Sequence, residues 1–393
     1  LTVSISSDVS PEAREFDRLC TTVANAYIQP LMESYLDRFA ARFAAEGVAC
    51  PILMMTAGGG MCTVQTAARF PIRLVESGPA GGAILAAGIA ACAGVGGVLS
   101  LGDGGTAAKL CLSDNARPQT SRQFEIARAA RFIKGSGMPV RIPVIEMIEI
   151  GAGGGSIAGV DRLGRLTVGP KSAGSEPGPV AFGRGGTEPT VTDSDITLGY
   201  IVPDTFAEGH ISIDPGASEQ ALKRVIGEKL NTDGRGAADG VSRIVDESMA
   251  SAGRMHAVES GKDLSNRTMI AFGGNGPLHA TRVARSISLV HRDAVRPNSL
   301  SPNPGVGSAV GFLFAPVSFE IVRSRYSLLD TLDLNSVNAL FDEMIAEASA
   351  VVAQGAGDRS TETRRSAFMR YNGQGHEIEI PLPDRALTGE DPQ

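Results

Sequence analysis

Tryptophan is absent from the 393 residues and tyrosine occurs five times, so the chain has no row of stacking aromatics for single-stranded nucleic acid. Excess positive charge is also missing: 36 Lys and Arg stand against 43 Asp and Glu, a net charge of −7. That balance gives no electrostatic footprint for nucleic acid or an anionic membrane, which leaves small molecules and proteins as partners. Cys20, Cys50, Cys62, Cys92 and Cys111 are spread singly without a CxxC. This excludes a disulfide frame or zinc-ligand spacing and points to reduced thiols in a cytoplasmic protein. His210, His256, His279, His291 and His376 are too scattered to assert a metal site, and no Ser/His/Asp constellation stands out. Charge is lacking from Ser77 to Gly102, but this stretch is mostly Ala and Gly without aromatic anchors. It is poor material for a membrane span and reads as a buried helix followed by a buried strand.

With 42% apolar and 20% charged residues, the chain has ample material for a core, and its length suggests two or three domains. It opens on Leu1 in a polar segment and stops at GEDPQ just after a strand-like run; both ends look cut, as in a piece of a longer polypeptide.

Glycine is plentiful, with 48 residues, and it clusters where apolar runs end. The run at 98–101 passes into Gly102, Asp103, Gly104, Gly105 and Thr106, and apolar residues resume at Ala107. Two strands joined by a tight glycine turn can crowd backbone N–H groups around an anion; an ordinary hairpin with an acidic turn fits the same residues. Lys109 is placed either to touch a phosphate or to point outward. Residues 140–150, the run GAGGGS at 151–156, and strands at 157–160 and 166–168 repeat the strand, glycine turn, strand plan, which suggests weak internal duplication. At 268–272 another apolar strand enters Gly273, Gly274, Asn275, Gly276 and Pro277 and then a helix at 278–286. Strand, glycine turn, helix is where α/β sheets hold nucleotides, although the spacing is not the dinucleotide fingerprint. His279 falls at that helix start, where both end packing and substrate contact fit.

The stretch 169–193 is too rich in Gly and Pro for a helix and long for a connector, which favours function. Its Glu188 and Asp193, with Asp195 just beyond, can bind Mg²⁺, orient water or simply face solvent, and Arg184 between glycines suits a phosphate or a plain surface. Helical spacing is read from the Ser10, Pro11, Glu12 start through Phe16, Leu19, Val23 and Tyr27 to Phe43, with a bend or break at Pro30. Helices are also expected at 217–230 and 237–260, the latter with Val241, Val245 and Met249 on a core stripe. The tail reads as a strand at 318–326, a helix at 337–352 and a strand pair at 367–381.

Five motifs in order resemble the hydantoinase A / 5-oxoprolinase family: EIGAGGGSIA from Glu149, VGPKSAGSEPGPVAFGRGGTEPTVTDSD from Val168, FGGNGPLHA from Phe272, PNPGVGSAVGF from Pro302 and RYNGQGHEIEIPLP from Arg370. Within it, N-methylhydantoinase A and ketone carboxylase β subunits look most similar. The resemblance implies an α/β, actin/Hsp70/sugar-kinase-like (RNase H-like) ATPase of duplicated domains. It would divide the chain into the remainder of a first actin-like domain (1–96), a second one with the phosphate and adenosine loops (97–315), and a truncated α+β module (316–393).

By that likeness Gly104, Gly105 and Thr106 are a phosphate hairpin. Gly153, Gly154, Gly155, Gly273, Gly274 and Gly276 line the nucleotide, and Asp103, Glu188, Asp193 and His279 serve catalysis, with Asp103 and Asp193 at Mg²⁺. The family's first phosphate hairpin has no counterpart in this sequence. The family's acid also stands where this chain has Gly102, and moving it one residue to Asp103 sends it to the other face of a strand.

ATP and Mg²⁺ are the implied cofactors, and a hydantoinase B-type subunit is the implied partner in an oligomer. The implied activity is ATP-dependent hydrolysis of a cyclic amide such as a hydantoin, lactam or oxoproline. A ketone carboxylase subunit and a non-catalytic actin-like scaffold are the alternatives.

Overall fold

A computed structural model describes residues 2–126, 135–287, 299–300, 304–375 and 377–389. The chain forms two compact units, each assembled from separate stretches of the sequence. One contains Leu1–Ser77, Arg122–Val144 and Pro316–Gln393, and the other Gly78–Ser121 and Ile145–Ala315.

The second unit is built on a mixed sheet. Helix α1 (Ser77–Ala93) leads into β1 (Gly97–Asp103), which turns into antiparallel β2 (Ala108–Asp114) with Leu101 opposite Leu110 and Asp103 opposite Ala108. The expected glycine hairpin is therefore present. β3 (Met147–Ile150) adds antiparallel to β2. The glycine run that follows does not close a second hairpin. It leaves the main sheet, and β4 (Ser156–Val160) pairs with β5 (Leu166–Ser172) in a separate ribbon. Helices α2 (Val191–Thr197), α3 (Pro215–Leu222) and α4 (Gly234–Glu259) come next, then β6 (Thr268–Phe272) and α5 (Gly276–Ile287). β6 lies parallel to β1, short β7 (Ser299–Leu300) lies parallel to β6, and α6 (Gly307–Phe314) follows.

Strand alternation gives each face its own core. Val98, Ile270 and Phe272 pack with Ala86 and Ala90 of α1. Leu99, Leu101, Leu110 and Leu112 face Val241, Val245 and Met249 of α4 and Ala280 and Val283 of α5, each large side chain contributing ~1.5–3 kcal/mol by its burial. Phe272 sits where glycines leave room, since a Cβ at Gly82 or Gly102 would come within 2.0 or 2.6 Å of its ring.

In the first unit a single helix, Glu15–Ala45, runs through Pro30 and starts at Glu15, five residues after the expected Ser10 cap. Most of the apolar series read from the sequence lies on the open side, where Phe16, Leu19, Val23, Tyr27 and Leu31 are exposed, while Leu36 of the same series is buried. The inward face carries Thr21, Ala24, Asn25, Gln29 and Leu36. Asn25 is tolerated there because it accepts from Ile72 N (3.2 Å) and donates to the Arg69 carbonyl (3.2 Å). Residues 318–326 form no strand, whereas a helix at Leu334–Ala356 and an antiparallel pair, Arg365–Met369 with Ile378–Leu382, are present. Among the described residues no helix is long and apolar enough to cross a membrane.

Candidate functional site

The site grows out of the end of β1. Its pleat places Asp103 in the same row as Leu99 and Leu101, facing α4 and α5, and on the opposite side from Gly102. The Asp103 carbonyl accepts a hydrogen bond from Asn275 N (3.2 Å). The next carbonyl, of Gly104, accepts from Asn275 Nδ2 (2.9 Å) and Gly154 N (3.1 Å), and that of Gly105 accepts from Gly155 N (2.6 Å). Three glycine loops, 104–106, 151–155 and 273–275, therefore meet.

Glycine is required at the seams between them. Gly273 has φ +93°, and a Cβ there would lie 2.1 Å from the Asp103 carbonyl oxygen; a Cβ at Gly153 would lie 2.5 Å from that of Gly104. On the outer side the situation reverses. A Cβ at Gly105 or Gly274 would meet nothing within 4 Å, and the N–H groups of Gly105 and Thr106 have no backbone acceptor among the described residues. The result is a closed glycine base under an open turn with free donors, which suits an anion.

Beneath the turn lies a buried charged cluster. His279 is fully buried; its Nδ1 is 2.8 Å from Asp246 Oδ1, and its Nε2 is 3.3 Å from Asp195 Oδ2, at ion-pair distance but outside hydrogen-bond geometry. Burial alone pushes the imidazole down, but Asp195 and Asp246, helped by Asp103, outweigh it and raise His279 to about 10. Arg282 Nε donates to the other oxygen of Asp246, and Arg282 Nη2 donates to Ser242 Oγ (3.1 Å). The Asp103 carboxyl is 1% exposed, with neither oxygen hydrogen-bonded. Burial, with Asp195 and Asp246 adding to it and His279 opposing, pushes it up to about 7.

Several expected site residues lie elsewhere. Asp193 is buried but committed: it accepts from Val180 N, Ala181 N, Thr190 N, Thr190 Oγ1 and Ser218 Oγ at 2.7–3.1 Å, closing a capping box at the start of α2. No lone pair is left pointing to a metal or substrate. Glu188 is exposed and pairs with Lys171 (3.5 Å), away from the cluster. Gly276 is buried in the first turn of α5, its N–H donating to Gly273 O (3.2 Å). Lys109 pairs with Glu149 across β2 and β3 (3.4 Å), and Arg184 is exposed beside Phe182. His291 and His376 lie outside the described residues. Among the described residues no group of three or more His, Cys, Asp or Glu side chains could hold a metal ion.

The hydantoinase/oxoprolinase family model matches residues 18–321. The chain belongs to this family. Its similarity to the caprolactamase subunit alpha of Pseudomonas jessenii is 31% identity over 382 residues, covering 95% of this chain and 52% of that protein. To the acetophenone carboxylase gamma subunit of Aromatoleum aromaticum it is 36% over 281 residues, 70% of this chain and 37% of that one. The crystal structure of the ATP-dependent caprolactamase from P. jessenii superimposes with a TM-score of 0.77 at 28% identity, over 98% of this chain and 54% of that chain. The chain thus spans about half the length of the curated relatives it matches.

In this hydantoinase/oxoprolinase chain the polar partners Asp246, Arg282 and Asn275 escaped the reading of the sequence. A signal for Asp246 existed: with Ser242 it lies on the same stripe of α4 as Val241, Val245 and Met249, and a carboxylate at core spacing demands a buried cation. Arg282 follows His279 by one helical turn, so the pair His279/Arg282 was the matching signal.

Proposed function

We propose that this chain is the ATP-handling part of an ATP-dependent cyclic-amide hydrolase, with the nucleotide's phosphates seated on residues 104–106. The observation that carries this is the open, donor-bearing turn held on a closed glycine base, with Gly274 free beside it. The mixed sheet with its glycine hairpin and flanking helices supports an actin/Hsp70/sugar-kinase type of ATPase fold for the second unit, with residues 273–276 beside the adenosine.

An amide carbonyl is a poor electrophile. Transfer of the γ-phosphoryl group to the carbonyl oxygen breaks the bond to the β,γ-bridging oxygen and activates the carbon. Water then opens the ring at the C–N bond, and phosphate leaves in a later hydrolysis. Such chemistry calls for positioning and N–H donors more than for a protein nucleophile.

The residues present do not fit a protein-held Mg²⁺. Asp193 is fully hydrogen-bonded, Asp195 faces the buried His279, and Asp103 is sealed from solvent. Mg²⁺ enters as part of the substrate, on the phosphates. A companion subunit is expected, because both relatives named above are subunits, and five unpaired cysteines support a cytoplasmic protein. The 36% identity to a carboxylase subunit favours one second role, phosphorylation of a ketone enol in a carboxylase.

The test is phosphate release by the chain with its companion subunit. Release driven by caprolactam, hydantoin or 5-oxoproline, and lost in Gly105→Val, supports the hydrolase. Release with ketone plus bicarbonate alone supports the carboxylase, and release with neither contradicts both.

A further inference from the structure

We infer that His279 is the resident cation of this site, an imidazolium fixed between Asp195 and Asp246, and that the chain binds a nucleotide's phosphates without a metal ion of its own. The inference rests on the nucleotide site proposed above and goes beyond it in assigning the site's positive charge to a side chain.

Four elements converge on the ring. β1 supplies Asp103, α2 supplies Asp195, α4 supplies Asp246, and α5 supplies His279 itself and Arg282. Nδ1 and Nε2 each face a carboxylate, at 2.8 and 3.3 Å, and Nδ1 also lies 3.2 Å from Arg282 Nη2, which shares Asp246 with it. A neutral ring carries one N–H and would turn the lone pair of its other nitrogen toward a buried carboxylate. Two cations, His279 and Arg282, thus answer the buried carboxylates of Asp195 and Asp246. Arg282 is itself anchored to Asp246 and Ser242, so the balance is built from side chains.

A divalent ion would break this arrangement. Mg²⁺ takes six oxygens in a tight octahedron and keeps several waters, yet Asp103 and Asp195 are essentially sealed from solvent. An ion bridging them would also sit against the imidazolium at Nε2 and expel its proton. Because His279 stands in the first turn of α5, directly after loop 273–275, the same contacts hold that loop to α2 and α4. His279 is therefore a positioning residue whose charge stays below the turn whether or not Mg²⁺ is present.

Three measurements on the full chain test this. In ¹⁵N-histidine NMR, with the resonance assigned by its loss in His279→Gln, both ring nitrogens are expected to stay protonated from pH 6 to 9; a neutral tautomer in that range overturns the inference. In Mn²⁺ titrations followed by electron paramagnetic resonance without nucleotide, no saturable site is expected below 1 mM, whereas a site lost in Asp103→Asn or Asp195→Asn overturns it. ADP affinity by calorimetry is expected to change less than tenfold between EDTA and Mg²⁺, and a hundredfold dependence on Mg²⁺ overturns it. Failure of ADP to bind under either condition would instead count against the nucleotide site, and the NMR and Mn²⁺ results would still decide the role of His279.

Discussion

Asp246→Leu removes the carboxylate that His279 Nδ1 and Arg282 Nε share. Asp246 is 4% exposed, so the imidazolium is left with Asp195 alone and Arg282 with Ser242. Breaking a buried pair from one side costs ~3–5 kcal/mol, most of it the penalty of an uncompensated buried charge. Replacing His279 by Leu as well removes that charge, so the double variant recovers part of the loss and the cycle shows a coupling of ~2–3 kcal/mol. The sign with pH follows from the direction of the shift. His279 rises from 6.5 to about 10 on folding, so its stabilisation is complete below pH 6.5 and disappears as pH climbs through 10. The whole window is worth at most ~5 kcal/mol. Hydrogen exchange of peptides from α4, β6 and α5, measured for the four proteins at pH 6 and above pH 10, reads the coupling directly. A coupling below ~0.5 kcal/mol at pH 6, or one unchanged above pH 10, refutes the assignment.

Other substitutions probe the remaining parts. Asp103 is raised from 3.8 to about 7, so the folded state prefers it protonated and loses stability as pH rises from 4 through 7; Asp103→Asn should remove ~2–4 kcal/mol of that pH dependence in urea titrations. Gly273→Ala forces a Cβ to 2.1 Å from a backbone oxygen at a positive φ, and should destabilise the second unit by ~2–4 kcal/mol with loss of Asn275's two hydrogen bonds. Gly274→Ala next to it enters open space and should keep the melting temperature while weakening ATP in calorimetry. Asp193→Ala strands the backbone donors of Val180, Ala181 and Thr190 and should cost at least ~3 kcal/mol, against less than ~0.5 for Glu188→Gln.

The pleat and the glycine punctuation made much of the second unit legible. The β1–β2 hairpin, the core stripe of α4 and the β6–α5 unit all follow from local periodicity. What was not legible depends on partners far away in sequence. The run at 151–155 carries the same local signal as the hairpin at 102–106, but β3 pairs back to β2 and β4 forward to β5, which no local pattern encodes. The Glu15–Ala45 helix shows its apolar residues at the expected spacing. Its buried face is decided instead by Asn25, whose partners are at Arg69 and Ile72. The cluster likewise depends on the parallel pairing of β1 with β6, which brings Asp103 to His279. Asp193 and Asp195 look alike in the sequence, two residues apart in a short helix that is buried almost throughout. One is used up by a capping box, and the other faces the imidazolium.

The most direct test is a crystal structure of the chain with a non-hydrolysable ATP analogue and Mg²⁺. Phosphate oxygens should lie within hydrogen-bonding distance of Gly105 N and Thr106 N, with Mg²⁺ on the phosphates and no protein carboxylate in its coordination shell. A nucleotide bound away from residues 104–106, or a Mg²⁺ ion ligated by Asp103 or Asp195, would contradict this site.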